Sequence, residues 1–516
     1  MRGFLALAIV LIQSAALVTS ADEPFVRATL PADSAGYEGD AFSAALQQLQ
    51  ERVEALEAEN AELKQVADQP PQPSTPTLSD GGIDELRNLS VETSQRLNDL
   101  QLKLQEEAEA EAAAAKKKKE EDAKKDKKWF EKYSIRGYAQ FRISDVTRDD
   151  GLGDPQLPGD SSVGDRQGFL IRRARLILSG DISEHVSLYF QPDFAVNVPG
   201  SVDQNQYTQI RDLYADVHID KEKEFRFRVG QSKVPYGWEN LQSSSNRLPL
   251  DRNDALNSAV RNERDLGLMF YWTPKEVQDI FKFINDNGLK GSGNYGLFGV
   301  GLYNGQGGSL REQNDNLHAV ARFALPFYVN DSQLAEVGIQ GYTGRYTVPS
   351  ASISPLGVGP LIRPVGTLEN GGAAGLEDER VAWTFVYYPQ PLGFQSEWTV
   401  GRGPALNADQ TALEERSLYG GYAMVMYREQ LTKGELLPFA RWNYFQGGYK
   451  SERNAPWSEI QEWELGVEWQ LSKALEIVAL YTLTDRTNTQ ANSTAGTQSY
   501  NQFDGEFVRC QVQVTY

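Results

Sequence analysis

The residues from 129 onward alternate between apolar and polar side chains in one short segment after another. In the last segment, FVRCQVQVTY, Val508 and Cys510 fall on one face of an extended strand, and Arg509 and Gln511 fall on the other. Alternation with a period of two indicates β-strands whose two faces meet different surroundings. Sixteen candidate strands can be counted, at about residues 134–144, 167–180, 183–195, 208–220, 223–233, 264–273, 292–303, 317–326, 333–345, 379–389, 394–402, 416–427, 435–447, 459–471, 473–485 and 500–516.

Short and long connections alternate between the candidate strands. Those after strands 2, 4, 8, 10, 12 and 14 are short, for example SGDISE and LSKA, whereas those after the odd-numbered strands are longer and rich in Gly, Asp, Asn and Pro. The link after strand 6, residues 274–291, breaks this rule and is expected to contain a short helix. A transmembrane β-barrel has tight turns on one side of the membrane, long loops on the other, and an even number of strands. The sorting therefore predicts an all-β fold, a 16-stranded antiparallel transmembrane β-barrel, rather than a soluble sandwich.

The two faces of the strands agree with this fold. In the strand near 459–471, Trp463 and Leu465 point one way, and Glu462 and Glu464 point the other. An apolar outer face and a charged inner face fit lipid outside and water inside, whereas a soluble barrel would have the reverse arrangement. The final strand is predicted to pair with the first, because an open sheet edge cannot lie in lipid.

The chain before the barrel differs in composition. Residues 1–21 have a short positive start, an apolar run and small residues, which predicts a cleaved secretory signal peptide, with an uncleaved anchor as the alternative. Residues 22–128 contain heptad-spaced positions such as Leu46, Leu49 and Asn60, which predict a self-associating helical coiled coil followed by a lysine-rich charged linker. A single frayed helix is the alternative. The domains are therefore expected to be 1–21, 22–128 in the periplasm, and 129–516 as the barrel.

Composition and motifs exclude several functions. The formal charge of −20 argues against non-specific nucleic-acid binding, which needs clustered positive charge. No nucleophile elbow, His-Glu-x-x-His or phosphate-binding loop is present, so the chain is not expected to be an enzyme or to hold a cofactor. Asp212, Asp216 and His218 share a strand face and offer a cation site, but polar residues of this kind are also ordinary features of a pore wall.

Two segments carry a resemblance to a known family. RQGFLIRRARLILSGDISEHVSLYFQPDFA, residues 166–195, and FRFRVGQSKVPYGWENLQSSSNR, residues 225–247, resemble the phosphate-selective porin O/P family. The resemblance implies a homotrimer of 16-stranded barrels in the outer membrane, with the third long loop, about 234–263, folded into each pore. It also implies that Arg173 and Arg175 line the pore wall and that Lys233 lies at the constriction.

Strand alternation adds further candidates for the pore lining. By parity, Arg136, Arg142, Arg226 and Arg228 also face the lumen, together with Arg322, Arg380 and Arg441. Planar guanidinium groups suit phosphate because they can bind two oxygens at once. The competing interpretation is that these arginines pair with luminal acids. Seven acids share the inward parity: Asp193, Asp212, Asp216, Glu397, Glu462, Glu464 and Glu468.

Two finer expectations concern strand 2 and the third loop. On strand 2, Ile171 is assigned to the lumen with its neighbouring arginines, and Arg172 to the lipid side near an interface. In the third loop, Glu239, Asp251 and Asp254 are expected to pair with basic residues of the same loop. The basic residues in the loop or at its edge are Arg247, Arg252, Arg261 and Arg264.

These observations predict an outer-membrane porin that is embedded in lipid and lets small hydrophilic solutes diffuse passively. A preference for phosphate or other small anions is the more specific hypothesis, although the net acidic barrel gives it no simple support. The alternative is a structural tether, in which the coiled coil links the barrel to the cell wall.

Overall fold

Sixteen β-strands make up more than half of the described part of the chain. The computed structural model describes residues 132–150, 168–197, 206–330, 332–491 and 500–516, with the separate positions 103, 157, 158 and 163. The predicted signal peptide, coiled coil and linker lie outside the described residues. The strands are β1 Tyr133–Asp149, β2 Gly168–Asp181, β3 Val186–Asn197, β4 Gln206–His218, β5 Phe225–Lys233, β6 Arg264–Trp272, β7 Phe298–Tyr303, β8 His318–Asn330, β9 Gln333–Tyr346, β10 Leu376–Tyr387, β11 Leu392–Leu406, β12 Leu413–Tyr427, β13 Glu435–Gly448, β14 Trp457–Ser472, β15 Leu475–Ala491 and β16 Tyr500–Thr515.

The strands close into a barrel. Each strand pairs antiparallel with its neighbours in sequence, and β1 pairs with both β2 and β16. At the seam, the Tyr516 N–H donates to the Gly137 carbonyl at 2.9 Å, and the Gly137 N–H donates to the Tyr516 carbonyl at 2.7 Å. A Cβ at Gly137 would lie 2.6 Å from the Tyr516 ring, so this close approach requires glycine. The predicted 16-stranded closed barrel is confirmed.

The connections at one end of the barrel are tight, as in residues 182–185, 388–391 and 473–474. A two-residue ladder, Glu429–Gln430, extends the hairpin between β12 and β13. The connections at the other end are longer, except that β11 and β12 extend far enough to leave only 407–412 between them. In membrane barrels of this kind the tight turns face the periplasm.

Three short α-helices lie in those connections that the structure describes. The third long loop, 234–263, contains α1, Trp238–Leu241, and α2, Asp254–Asn257. The link between β6 and β7 contains α3, Lys275–Asp286, as predicted. No helix among the described residues is long and apolar enough to span a membrane.

The outer face is apolar and the inner face is polar. On β14, Trp463 and Leu465 are 53% and 50% exposed, whereas Glu462 and Glu464 are buried inside the barrel. The other strands show the same arrangement, with exposed Leu, Val, Ile and Phe outside and buried Arg, Glu and Gln inside. This distribution fits hydrocarbon around the barrel and confirms the predicted orientation of the strand faces.

β2 departs from strict alternation at Arg172. Its register with β1 changes from Gln140 opposite Arg173 to Phe141 opposite Ile171, so Arg172 is the extra residue of a β-bulge. Ile171 therefore faces outward, and Arg172 turns inward to 3.6 Å from the Asp251 carboxylate. The predictions that Ile171 faces the lumen and that Arg172 lies on the lipid side are wrong, because counting by twos assumes an unbroken ladder.

Candidate functional site in the barrel lumen

The third long loop, residues 234–263, crosses the lumen and is named here the constriction loop. It begins after β5, yet the Trp238 and Glu239 N–H groups donate to the Glu397 carboxylate at 2.6 and 3.0 Å. Glu397 belongs to β11, six strands farther around the barrel. The Tyr236 hydroxyl also bonds Thr399 on that strand, at 2.5 Å. The inward fold that the family resemblance implies is therefore present.

Acidic residues attach the constriction loop to the wall. Asp251 lies 3.0 Å from Arg142, 2.6 Å from Arg509 and 3.6 Å from Arg172, so three strands are held by one carboxylate. The expectation that Glu239, Asp251 and Asp254 pair with basic residues of their own loop is wrong, because the loop lies against a wall that supplies arginines of its own. Two more acids of the loop also pair with wall arginines, Glu239 with Arg441 and Asp254 with Arg486.

Two of the predicted pore arginines lie inside β2 and are engaged by neighbours. Arg173 donates to the Gln140 side chain at 2.8 Å. Arg175 donates to Asp193 at 2.7 Å, to the Tyr138 hydroxyl at 2.8 Å and to the Ser244 hydroxyl at 2.9 Å. Both side chains are buried and face the interior. Arg175 therefore also positions the constriction loop through Ser244.

Arg226 and Arg228 on β5 also face inward but are covered. Arg228 forms two hydrogen bonds to Asp216, at 2.7 and 2.8 Å, and its guanidinium lies 3.9 Å from the centre of the Tyr214 ring. Arg226 donates to the backbone carbonyl of Asn294. These contacts engage both guanidinium groups, although the Arg226 Nε atom has no hydrogen-bond partner among the described residues.

Lys233 and Arg136 lie in contrasting surroundings. The Lys233 ammonium donates to three backbone carbonyls at 2.7–3.1 Å and lies 3.2 Å from the Glu263 carboxylate. These acceptors, at residues 240–242, belong to the end of α1, so Lys233 holds the constriction loop in shape. The Arg136 side chain is exposed and makes no hydrogen bond or ion pair with any described residue. A pore role for these residues stays a prediction.

The parity argument missed several basic side chains on this side of the lumen. Arg211 is the extra residue of a bulge in β4, where the register changes between Asp212 and Ile210. Arg247 and Arg252 reach the same region from the constriction loop and interact electrostatically with each other. The set is named the basic face and consists of Arg172, Arg173, Arg175, Arg211, Lys233, Arg247, Arg252 and Arg264.

Arg247 has two unsatisfied donor atoms among the described residues, more than any other member of the basic face. Its side chain is buried, and its Nε and Nη2 atoms have no hydrogen-bond partner among the described residues. Arg252 pairs with Glu263. Burial lowers the pKa of Arg252 well below its usual value, and the positive charge of Arg247 lowers it further. An anion bound here would supply the missing acceptor and offset the repulsion.

Comparison with known proteins assigns the chain to a family. Residues 151–516 match the family model described as phosphate-selective porin O and P. The chain belongs to this family. The protein is therefore an outer-membrane porin, a channel and not an enzyme. None of the curated proteins is similar enough in sequence to match the porin.

Solved structures of outer-membrane channels resemble the porin in fold. The outer membrane channel DcaP of Acinetobacter baumannii is 10% identical, with a TM-score of 0.44, covering 74% of this chain and 97% of DcaP. OmpF of Salmonella typhi, solved with daunomycin, is 13% identical, with a TM-score of 0.46 and coverage of 74% and 97%. The anion-selective porin from Comamonas acidovorans is 11% identical, with a TM-score of 0.38 and coverage of 74% and 99%.

The luminal acids of the porin are occupied by partners. Glu397 accepts the two N–H groups of the constriction loop, and the other six acids predicted to face the lumen pair with cations. These pairs are Asp193 with Arg175, Asp212 with Arg264, Asp216 with Arg228, Glu462 with Arg486, Glu464 with Arg441, and Glu468 with Lys290. Two carboxylates of the possible cation site, Asp212 and Asp216, are thus already bound to arginines. The described residues contain no group of three or more His, Cys, Asp or Glu arranged to hold a metal.

Proposed function

We propose that the porin passes small anions, phosphate among them, in preference to cations. The observation that carries this proposal is the buried guanidinium of Arg247, whose Nε and Nη2 atoms have no acceptor among the described residues. An unmatched buried donor is unfavourable, and the free energy is recovered when a ligand supplies the acceptor. A guanidinium is also the side chain best shaped to bind two oxygens of a phosphate.

The balance of charge on the basic face supports the same conclusion. Five of its eight cationic side chains form ion pairs with four carboxylates, those of Asp193, Asp212, Asp251 and Glu263. Among the described residues, the cations of this face therefore outnumber the carboxylates that pair with them. Rings and patches of charge at close quarters set the selectivity of a pore, whereas the net charge of the whole protein has little influence.

The acids that argued against an anion channel do not oppose this proposal. Those on β11 and β14, such as Glu397 and Glu464, lie under the constriction loop and are bonded to it or to wall arginines. The acidic composition of the barrel thus stabilises the position of the loop instead of lining the path of the solute.

The Arg247→Gln, Arg252→Gln double variant tests the anion preference. We expect its chloride-to-potassium permeability ratio to fall about fivefold, because a charge–ion attraction of about 1 kcal/mol in a water-like dielectric is lost. Reversal potentials across planar bilayers under a KCl gradient measure the ratio. Arg402→Gln is the matched control, since Arg402 is half exposed near the long-loop end of β11. A parent protein that prefers potassium, or a double variant with the parental ratio, would contradict the proposal.

We also propose that the porin is a homotrimer embedded in outer-membrane lipid. The outer surface of β11–β14 carries an aromatic cluster, in which Trp442 lies 5.6 Å from Trp398 and 6.5 Å from Trp463 between ring centres. The cluster lies near the middle of these strands, whereas barrel aromatics usually form girdles at the two interfaces. Packing against another copy would cover it. Cross-linking in native membranes should give a three-chain product that weakens in Trp442→Ala.

The segment 22–128 is proposed to lie in the periplasm. β1 begins at the end of the barrel that carries the tight turns, so the chain enters from the periplasmic side. Protease added to intact cells should leave this segment uncut, and protease added after the outer membrane is permeabilised should remove it. Cleavage in intact cells would place the segment outside.

A further inference from the structure

The connection between β6 and β7, residues 273–297, is much longer than a hairpin needs. Trp272 pairs directly with Phe298, so a two-residue turn would be enough to join the two strands. The chain instead forms α3 and then runs through residues 287–297 before β7 begins. This segment, 273–297, is named the strap. Its length calls for a role other than connection.

The strap reaches the opposite side of the barrel. The Lys290 ammonium forms an ion pair with the Glu468 carboxylate, and both side chains are almost fully buried. Lys290 lies between β6 and β7, and Glu468 lies on β14, seven to eight strands away in a ring of sixteen. Because that separation is half the circumference, the strap spans the lumen near its periplasmic end.

The strap also binds the constriction loop directly. The Gln242 side-chain amide donates to the Lys290 carbonyl at 2.6 Å, and the Asn246 side-chain amide donates to the Gly291 carbonyl at 2.9 Å. Trp238 of the loop belongs to the same buried apolar cluster as Phe281 of α3. The other members of that cluster are Val277, Ile284, Leu289, Leu334, Val386 and Tyr388. The loop and the strap therefore form one packed unit.

The strap covers part of the wall on its own side. The Asn294 carbonyl accepts a hydrogen bond from Arg226, and the Tyr295 ring lies 5.6 Å from the Arg228 guanidinium. Both arginines would otherwise face open lumen, because they point inward from β5. The strap thus removes the β5 arginines from the solute path.

We infer that the strap is a second constriction element, which blocks the periplasmic half of the lumen on the β5–β14 side and confines solutes to the side of β1–β4. Lys290 and Glu468 are its positioning residues. This inference rests on the porin function and is independent of the anion preference. The size limit of the pore is accordingly set by the strap together with the constriction loop.

Deletion of the strap tests the inference in the full-length protein. Residues 273–297 are replaced by Asn-Gly, which favours the two-residue turn that the Trp272–Phe298 pairing accepts. We expect the single-channel conductance to rise about twofold and larger neutral sugars to enter in liposome swelling, because pore diameter limits both quantities. A variant that folds, as judged by heat-modifiable migration, and keeps the parental conductance and sugar limit would overturn the inference.

A second variant covers the case in which the deletion does not fold. Lys290→Met with Glu468→Gln removes both charges of the buried pair together, so that neither is left buried alone. We expect the single-channel conductance to rise less than in the deletion variant, and current steps to be more frequent than in the parent protein. Lys282→Ala is the control, since its ion pair with Asp286 lies on the exposed face of α3. Parental currents in the double variant would also overturn the inference. The anion preference is measured separately, from reversal potentials. If that preference is absent, the comparison of conductances between the strap variants and the parent is unaffected.

Discussion

Leu465→Arg is expected to lower the free energy of unfolding of the barrel in lipid by about 2–4 kcal/mol, the effect of an arginine on the lipid face near the bilayer midplane. Leu465 is half exposed on the outer face of β14, eight residues from the start of a strand that spans Trp457–Ser472. The arginine would bring a charge into hydrocarbon, where it can reach water only by distorting the bilayer. Denaturant titration in phospholipid vesicles, followed by tryptophan fluorescence, measures the change.

Gln461→Arg provides the matched comparison for this prediction. Gln461 lies on the same outer face of β14, four residues closer to the long-loop end, and it is exposed. Near an interface the same substitution costs about 0–1 kcal/mol. Equal losses of unfolding free energy in Leu465→Arg and Gln461→Arg would show that hydrocarbon does not surround the middle of β14.

Asp251→Ala is expected to destabilise the porin by about 3–5 kcal/mol, because buried cations would lose their partner carboxylate. Asp251 forms ion pairs with Arg142, Arg172 and Arg509, and these pairs hold the constriction loop to the wall. The released guanidinium groups would also raise the chloride preference, and the looser loop would make single-channel currents noisier. The unfolding midpoint and bilayer recordings of one preparation measure all three effects.

Asp504→Ala serves as the control for Asp251→Ala. Asp504 pairs with Arg148 at the surface, where both side chains are about half exposed. Exposed ion pairs contribute little to stability, so the unfolding midpoint and the currents should stay close to those of the parent. If Asp251→Ala leaves the current noise and the unfolding midpoint at the parental values, other contacts, such as the Glu239–Arg441 pair, are enough to fix the loop.

The barrel itself was predictable because each of its signals is local and repeated. Period-two alternation marks a strand wherever one face meets lipid, and sixteen repeats leave little freedom in the strand count or in closure. The helix in the 274–291 link was also predictable, since Val277, Phe281 and Ile284 follow helical spacing and are buried.

The bulges at Arg172 and Arg211 could not be predicted by the same method. A bulge inserts one residue into the ladder and reverses the parity of everything beyond it, yet it leaves the composition of the strand unchanged. The run RRAR supplied several basic residues in the right place, but the assignment of each to a face depended on the ladder. The result was one arginine assigned to the wrong side and another overlooked.

The organisation of the lumen depends on contacts between residues far apart in the chain. Lys290 with Glu468 and Asp251 with Arg509 join segments that only the closed barrel brings together. The sequence supplied the residue types of the pore, but it did not show which arginines are held by acids and which remain available. Arg247 illustrates the difference, because the lack of acceptors for its Nε and Nη2 atoms among the described residues is visible only when its neighbours are in place.

The seam at Gly137 has a consequence for biogenesis. Gly137 of β1 bonds Tyr516 at the end of β16, so the cylinder cannot be completed until β16 has been delivered. Closure must therefore follow export of all sixteen strands, and the periplasm must keep these unpaired amphipathic segments from aggregating until β16 arrives.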